Sequence, residues 1–391
     1  MQKKITIGRS VSTIKNYAFS DLVNVITLDY NAINISDLSE IYEENIYDST
    51  QYFNNSTFLN LGTVNGTIVN IGEDVIKIPA YLFYAPDGTP NIKEVRYATN
   101  CKIEEIGSCA FAASTLKTIT IPSTIKYLGY RVFCDMLNLE TIVFDAEELI
   151  YKPDEDERNG SIKQVFAGCG RNTNGVKFII GENVESLNYR IFDFSGYAYV
   201  TNITIVDFSK NSTITEIQEN LFESSCWLNT LILSNNITQI GANAFYSESE
   251  TTHLNTIYYM GNQTEFANIV VDNTDDGNKY YNSANVYYYS ELNGNVFNGF
   301  DNYWYFEDDN IKTWSPEKYS ITYNLFEGLN NENNPMQFTK YEKDIVLQAP
   351  TKENYIFEGW FEDSNFEKEI TIITEDRNYN LYAKWSFAGT V

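Results

Sequence analysis

The side chains that could do acid–base or nucleophilic chemistry are few in kind and poorly placed for it. His253 is the sole histidine among 391 residues. It sits in Ser249-Glu250-Thr251-Thr252-His253-Leu254. A general base needs its partner within hydrogen-bond reach, so this reads as a loop histidine and not a catalytic one. The five cysteines, Cys101, Cys109, Cys134, Cys169 and Cys226, contain no C-x-x-C pair, which argues against a zinc site and a disulfide framework. A single Cys101–Cys109 bridge stays open. Asp272-Asn273-Thr274-Asp275-Asp276-Gly277 opens like an EF-hand loop, but Thr274 takes a ligand position and Ser283 stands where a bidentate Glu belongs. Asp154-Glu155-Asp156 has carboxylates without a glycine in register. Carboxylate pairs suited to glycoside hydrolysis must occur among 53 Asp and Glu, so their presence says nothing. No P-loop, dinucleotide fingerprint or nucleophile elbow is present. These residues predict a protein that is not an enzyme and takes no cofactor and no metal.

Charge narrows the partners. Lys and Arg number 27 against 53 Asp and Glu, a net charge of −26. Such a chain repels phosphate backbones and anionic lipid, so nucleic acid is excluded as a partner. No apolar run reaches the length of a membrane span, which excludes membrane insertion. Met1 to Arg9 has lysines but no apolar core of a signal peptide. The hydrophobic fraction is 43%, with 30 Tyr and 24 Phe, enough for a large core. The 46 Asn favour turns and tight loops.

The elements that would position any site come from a repeat. Ile106-Gly107-Ser108-Cys109-Ala110-Phe111 precedes Leu116-Lys117-Thr118-Ile119-Thr120-Ile121. The same template, I-x-x-x-[AL]-F followed by L-x-x-I-x-I, returns at Ile240 to Phe245 with Leu254 to Tyr259, and at Ile217 to Phe222 with Leu228 to Leu233. Weaker copies pair Ile14–Phe19 with Val23-x-x-Ile26-x-Leu28, Ile78–Phe83 with Ile92 to Tyr97, Leu128–Phe133 with Leu139 to Phe144, and Leu187–Phe192 with Val200-x-x-Ile203-x-Ile205. Asn65 to Val75 aligns without gaps on Asn174 to Val184. The period is about 25 residues, with longer steps between Thr27 and Asn70 and between Val143 and Ile179, where acidic insertions fall. I-x-I alternation predicts a short strand with Ile inward. The I-x-x-x-[AL]-F half, with apolar residues four and five apart, predicts one helical turn. No unit can bury its own apolar face, so neighbours must stack into a solenoid.

Across about residues 10–290 this repeat resembles the BspA-like class of bacterial leucine-rich repeats. The resemblance implies a right-handed solenoid with a narrow β-sheet on one face, in secreted or surface-attached proteins proposed as adhesins. Gly261 to Phe266 with Ile269, then Ala284 to Tyr289, is similar to how such arrays close.

After residue 289 the period stops. Tyr303 to Trp314 predicts a hairpin turning at Glu307-Asp308-Asp309-Asn310, expected to cap the solenoid end, with Pro316 marking a boundary. Residues 319–386 contain Tyr355-Ile356-Phe357-Glu358-Gly359-Trp360 and Leu381-Tyr382-Ala383-Lys384-Trp385. These two motifs resemble the Listeria–Bacteroides repeat, which implies a small β-grasp-like spacer or adhesive module. Asn354 stands where that family usually has Gly. The expected organisation is therefore a solenoid over 1–289, a hairpin cap and linker over 290–318, and the module over 319–386. The fold class is mainly β with short helical turns.

The outward row of the strand ladder is the candidate site. It is expected to run through Thr27, Asn70, Arg96, Thr120, Val143, Ile179, Thr204, Ile232 and Tyr258. The row is nearly free of charge in a strongly acidic chain, which is how protein interfaces look. β-Propensity alone also selects Thr, Val, Ile and Tyr. The expected contacts are Thr120, Val143, Ile179, Thr204, Ile232 and Tyr258, for a host or bacterial surface protein. A glycan stacked on the Tyr-rich strip, with Tyr287 and Tyr303, is the alternative, and a spacer without ligand is another. The protein is expected to be extracellular or at the cell surface, and a monomer.

Overall fold

A β-strand sends alternate side chains to opposite faces, and in most described strands of the first 289 residues one of those faces is buried. The computed structural model describes residues 3–35, 57–85, 89–150, 164–187, 189–192, 201–223, 225, 227–247, 254–291, 302–314, 318–339, 342 and 344–389. His253, Cys226, Asp154-Glu155-Asp156 and Pro316 lie outside them. The chain divides into two compact units, Met1–Tyr289 and Ser290–Val391.

In the first unit, strands Lys4–Ile7, Thr27–Tyr30, Thr67–Ile71 and Ile92–Tyr97 pair in parallel, each with the next. Strands Thr118–Ile121, Thr141–Phe144, Val176–Ile180, Ile203–Asp207, Thr230–Leu233, Thr256–Tyr259 and Asn285–Tyr289 form a second parallel ladder in the same way. On the back, two-residue strands pair as Lys77–Ile78, Glu105–Ile106 and Tyr127–Leu128, and as Glu216–Ile217, Gln239–Ile240 and Val270–Val271. This is a stack of coils. Ile119 with Ile121, Phe178 with Ile180, and Ile257 with Tyr259 point inward as the period-two pattern predicts.

The turns do not form the predicted helical turn. In I-x-x-x-[AL]-F, the residue two before Phe is left-handed: Tyr17 (φ 61), Tyr81 (61), Cys109 (54), Arg131 (53), Asn220 (59) and Asn243 (55). The backbone therefore bonds across coils instead of along a helix. Phe83 N–H donates to Ala110 O (2.9 Å), Phe111 N–H to Val132 O (3.0 Å) and Phe222 N–H to Ala244 O (2.9 Å). Only Tyr189–Phe192 closes as a 3-10 turn among the described copies of this motif. Gly107 and Gly129 let these turns approach. A Cβ on Gly129 would lie 2.3 Å from Ser108 N, and one on Gly107 2.4 Å from Ala80 N.

The bonded turns stack their phenylalanines into a spine. Ring centroids lie 5.3 Å apart for Phe19–Phe58, 5.5 Å for Phe58–Phe83, 5.3 Å for Phe83–Phe111, 5.8 Å for Phe111–Phe133 and 5.6 Å for Phe133–Phe166. Phe178 bridges at 5.5 Å to Phe166 and 5.0 Å to Phe192. Phe192, Phe222, Phe245 and Tyr281 then continue it at 4.9, 5.3 and 5.5 Å. Phe58 and Phe166 fall in the two long sequence steps, so those steps each keep their place in the spine.

In the second unit, Tyr303–Glu307 and Asn310–Thr313 form the expected antiparallel hairpin. The module after it places Lys318–Asn324 parallel to Tyr379–Phe387, with Gln337–Thr339 on one side and Tyr355–Phe361 then Glu369–Ile370 on the other. First and last strands lie side by side at the centre, a β-grasp-like order. Ile321, Trp360, Leu381 and Ala383 form its core. Asn354 is left-handed (φ 62), which explains why glycine suits this position and why Asn is tolerated. Burial alone would raise the Glu362 carboxyl, but hydrogen bonds from Lys368 and Arg377 outweigh it and hold it below the usual range.

Two outcomes follow from this packing. Phe133→Ala removes a ring stacked on both neighbours and should cost about 3–5 kcal/mol, read as a lower urea midpoint for the solenoid. Because the folded Glu362 is the stronger acid, its contribution is present above the unfolded pKa and lost as pH falls through the folded value. The module of Arg377→Gln should therefore lose less stability than wild type between pH 6 and 3, followed by Trp360 and Trp385 fluorescence.

Candidate functional site

The outward row is built by strand pairing. Cα registers place Thr120 beside Val143, Val143 beside Ile179, Ile232 beside Tyr258 and Tyr258 beside Tyr287. Thr120 is exposed, and Val143, Ile179, Tyr258 and Tyr287 are half-buried. Tyr258 and Tyr287 stack with centroids 5.2 Å apart. Burial, then the Tyr287 hydroxyl, raises the Tyr258 pKa, so the Tyr258 phenol stays neutral at physiological pH.

Two members of the expected row are placed differently. Ile179 stands beside Asp207, and Asp207 beside Ile232, so Asp207 and not Thr204 holds that position. The inward residues of this coil are Ile203, Val206 and Phe208, three positions later than the copy expected from Val200-x-x-Ile203-x-Ile205. A bulge between Val176 and Lys177 throws Thr204 out of register. It sits against Gly175, where a Cβ would meet Thr204 Oγ1 at 2.0 Å. Asp207 could have been found from Phe208, which completes the template.

Ile232 is fully buried and offers no contact surface. Alternation assigns a side chain to a face but does not guarantee water on that face. Asp207 beside it is only 2% exposed and forms a 2.7 Å ion pair with Lys177. At the other end, Asp29 and not Thr27 shares the row with Asn70 and Arg96. The inward residues there are Val25, Leu28 and Tyr30. The contacts left on the face are therefore Thr120, Val143, Ile179 and Tyr258, with Tyr287.

The other candidates are quiet. Cys101, Cys109, Cys134 and Cys169 are free thiols. Burial pushes Cys109 up to about 11 and raises Cys101 and Cys169 as well, so none of those three is a thiolate at neutral pH. Asp272 Oδ1 accepts from Thr274 N–H (2.9 Å) and Oγ1 (2.6 Å). Among the described residues no three His, Cys, Asp or Glu cluster to hold a metal, and no helix is long and apolar enough to cross a membrane.

Residues 2–85, 36–152 and 161–291 match the BspA type leucine rich repeat region, in six copies, and residues 319–384 match the Listeria-Bacteroides repeat domain. No curated protein matches the chain. Among solved structures it is similar to a leucine rich cell surface protein from Faecalibacterium prausnitzii A2-165, with 17% identity over 69% of this chain and 82% of that one, at a TM-score of 0.27. A leucine-rich repeat protein from Bacteroides ovatus ATCC 8483 gives 16% identity over 68% of this chain and 59% of that one, at 0.30. The pneumococcal vaccine antigen PcpA gives 11% identity over 67% and 78%, at 0.23. Likeness at such scores carries no argument, so the assignment rests on the repeats. With that match over most of its length, and with coils stacked as the repeat requires, the chain belongs to the BspA-type leucine-rich repeat family and carries a Listeria–Bacteroides repeat domain after the solenoid.

Proposed function

We propose that the protein is a non-enzymatic binding protein of the cell surface or extracellular space that presents its strand face to a protein partner, in the manner of an adhesin. The observation that carries this reading is the row Thr120, Val143, Ile179, Tyr258 and Tyr287. These five side chains are uncharged and partly open to solvent in a chain of net charge −26, and Asp207 in the same row is buried against Lys177. A charge-poor patch with aromatic anchors on a rigid sheet suits protein recognition, because little side-chain freedom is lost on contact. The surrounding negative charge speeds encounter with a basic partner and keeps the free protein soluble. A monomer serves this reading, and the C-terminal module acts as a spacer.

The stacked Tyr258–Tyr287 pair gives a second reading some footing, since sugar rings pack on tyrosine faces. The two differ in which substitution matters. Ile232→Asp is unsuitable as a probe because it would place a charge in a buried site. A Val143→Asp, Ile179→Asp double variant tests the protein reading, and Tyr287→Ala tests the glycan reading. Both should be run against matrix proteins, mucins and a glycan array. The proposal expects a protein ligand whose binding weakens at least tenfold in the double variant. Binding retained in that variant but lost in Tyr287→Ala, with glycans as the ligands, would overturn it.

A further inference from the structure

Several asparagine side chains of the solenoid are tied down. Asn60 donates to Asp21 (2.8 Å), Asn70 to Asp29 (2.8 Å), Asn183 to Asp145 (2.6 Å) and Asn211 to Gly181 O (2.8 Å). Asn65 and Asn174 differ. Both are exposed, neither carboxamide makes a hydrogen bond among the described residues, and each is followed by glycine. They begin the two segments that align without gaps, just ahead of the strands Thr67–Ile71 and Val176–Ile180.

An Asn-Gly pair can react with itself. The glycine nitrogen loses its proton to hydroxide and attacks the Asn Cγ. The bond from Cγ to the side-chain nitrogen breaks, and ammonia leaves. Water then opens the five-membered succinimide at either carbonyl, which gives aspartate or isoaspartate. Glycine favours the attack because no Cβ shields its nitrogen. The product carboxyl is ionised at neutral pH.

The fold treats the two nitrogens differently. Gly66 is buried, and its N–H donates to Gly62 O at 2.7 Å. A Cβ on Gly66 would lie 3.2 Å from Lys93 Cβ, so the Lys93 side chain covers it. Gly175 is half-buried, and its N–H donates to the Thr173 hydroxyl at 3.2 Å, the long end of the range. Attack from Gly66 must give up a short backbone bond beneath packed atoms. Attack from Gly175 gives up little. We propose that Asn174 is a site of spontaneous deamidation in the folded protein, and that the fold protects Asn65 in the same Asn-Gly setting.

The product bears on the front ladder. Asn202 Nδ2 donates to Gly170 O (3.1 Å) and Thr173 O (3.2 Å), and Asn202 O accepts from Val176 N–H (2.7 Å). These bonds fix the chain on both sides of Asn174. Isoaspartate moves the Cβ methylene into the main chain between them, so an extra atom must be accommodated where the strand carrying Ile179 begins. Aspartate adds the charge without the atom. This inference needs no ligand and stands apart from the strand-face reading.

The full chain, folded and in urea, is incubated in mildly alkaline buffer. Mass spectrometry follows the peptides holding Asn65 and Asn174, and isoaspartyl methyltransferase labels the isoaspartate. In urea the two sites should convert at the same rate. In the folded chain Asn174 should convert at least tenfold faster than Asn65, and faster still as pH rises. Asn174→Gln, at an exposed position, should fold normally and stay unconverted there, because its ring would have six members. Isoaspartate at this position should speed hydrogen exchange across Val176–Ile180, whereas Asn174→Asp should leave it unchanged. Equal rates at the two sites in the folded chain, or an Asn174 that converts only in urea, would overturn the proposal. Equal exchange in the isoaspartate chain and in Asn174→Asp would overturn the stated effect on the ladder.

Discussion

The contact on which the first unit depends is ring on ring between coils. Each turn delivers one aromatic side chain to a column that runs from Phe19 to Tyr281 and is bridged once by the strand residue Phe178, with neighbouring centroids between 4.9 and 5.8 Å apart. Strands in a ladder lie about 4.8 Å apart, so the spine and the ladder have commensurate spacing. Each left-handed turn residue costs about 1–2 kcal/mol. The turn offsets this by donating its backbone bonds to the next coil and by placing Phe on the column. Insertions between strands are tolerated because only the returning Phe must find its place, as Phe58 and Phe166 do.

Much of this was legible in the sequence, because repetition averages out local ambiguity. The templates ending in Phe83, Phe111, Phe133, Phe222 and Phe245 gave coil, strand and inward face together. Errors arose where one copy had to be framed alone. Val200-x-x-Ile203-x-Ile205 fitted the template as text, yet Ile203, Val206 and Phe208 are the buried set, so Asp207 and not Thr204 enters the row. The helical turn was misjudged because spacing of four and five does not distinguish a helix from a left-handed turn. Ile232 was misjudged because periodicity reports a face and not what lies over it.

No strand pairing joins Ile92–Tyr97 to Thr118–Ile121, and that break left no trace in the pattern. The template through Ile92, Val95 and Tyr97 looks like its neighbours. Lys93 is an extra residue opposite Thr67 and Ile68, as Thr204 is opposite Val176 and Lys177, and a bulge is visible only once the partner strand is known. The same coil stack thus carries two kinds of surface. One is a flat, charge-poor row set by strand register. The other is a local parting of that register over an unbroken spine.

The turns, and not only the strands, hold the coils together. Native-state hydrogen exchange on the free protein tests it directly. The amides of Phe83, Phe111, Phe133 and Phe222 should exchange as slowly as the strand amides of Ile142 and Leu231, opening only with the whole solenoid. Exchange of those Phe amides at loop-like rates while the strand amides stay protected would contradict it, and would leave the ladder alone as the organising element.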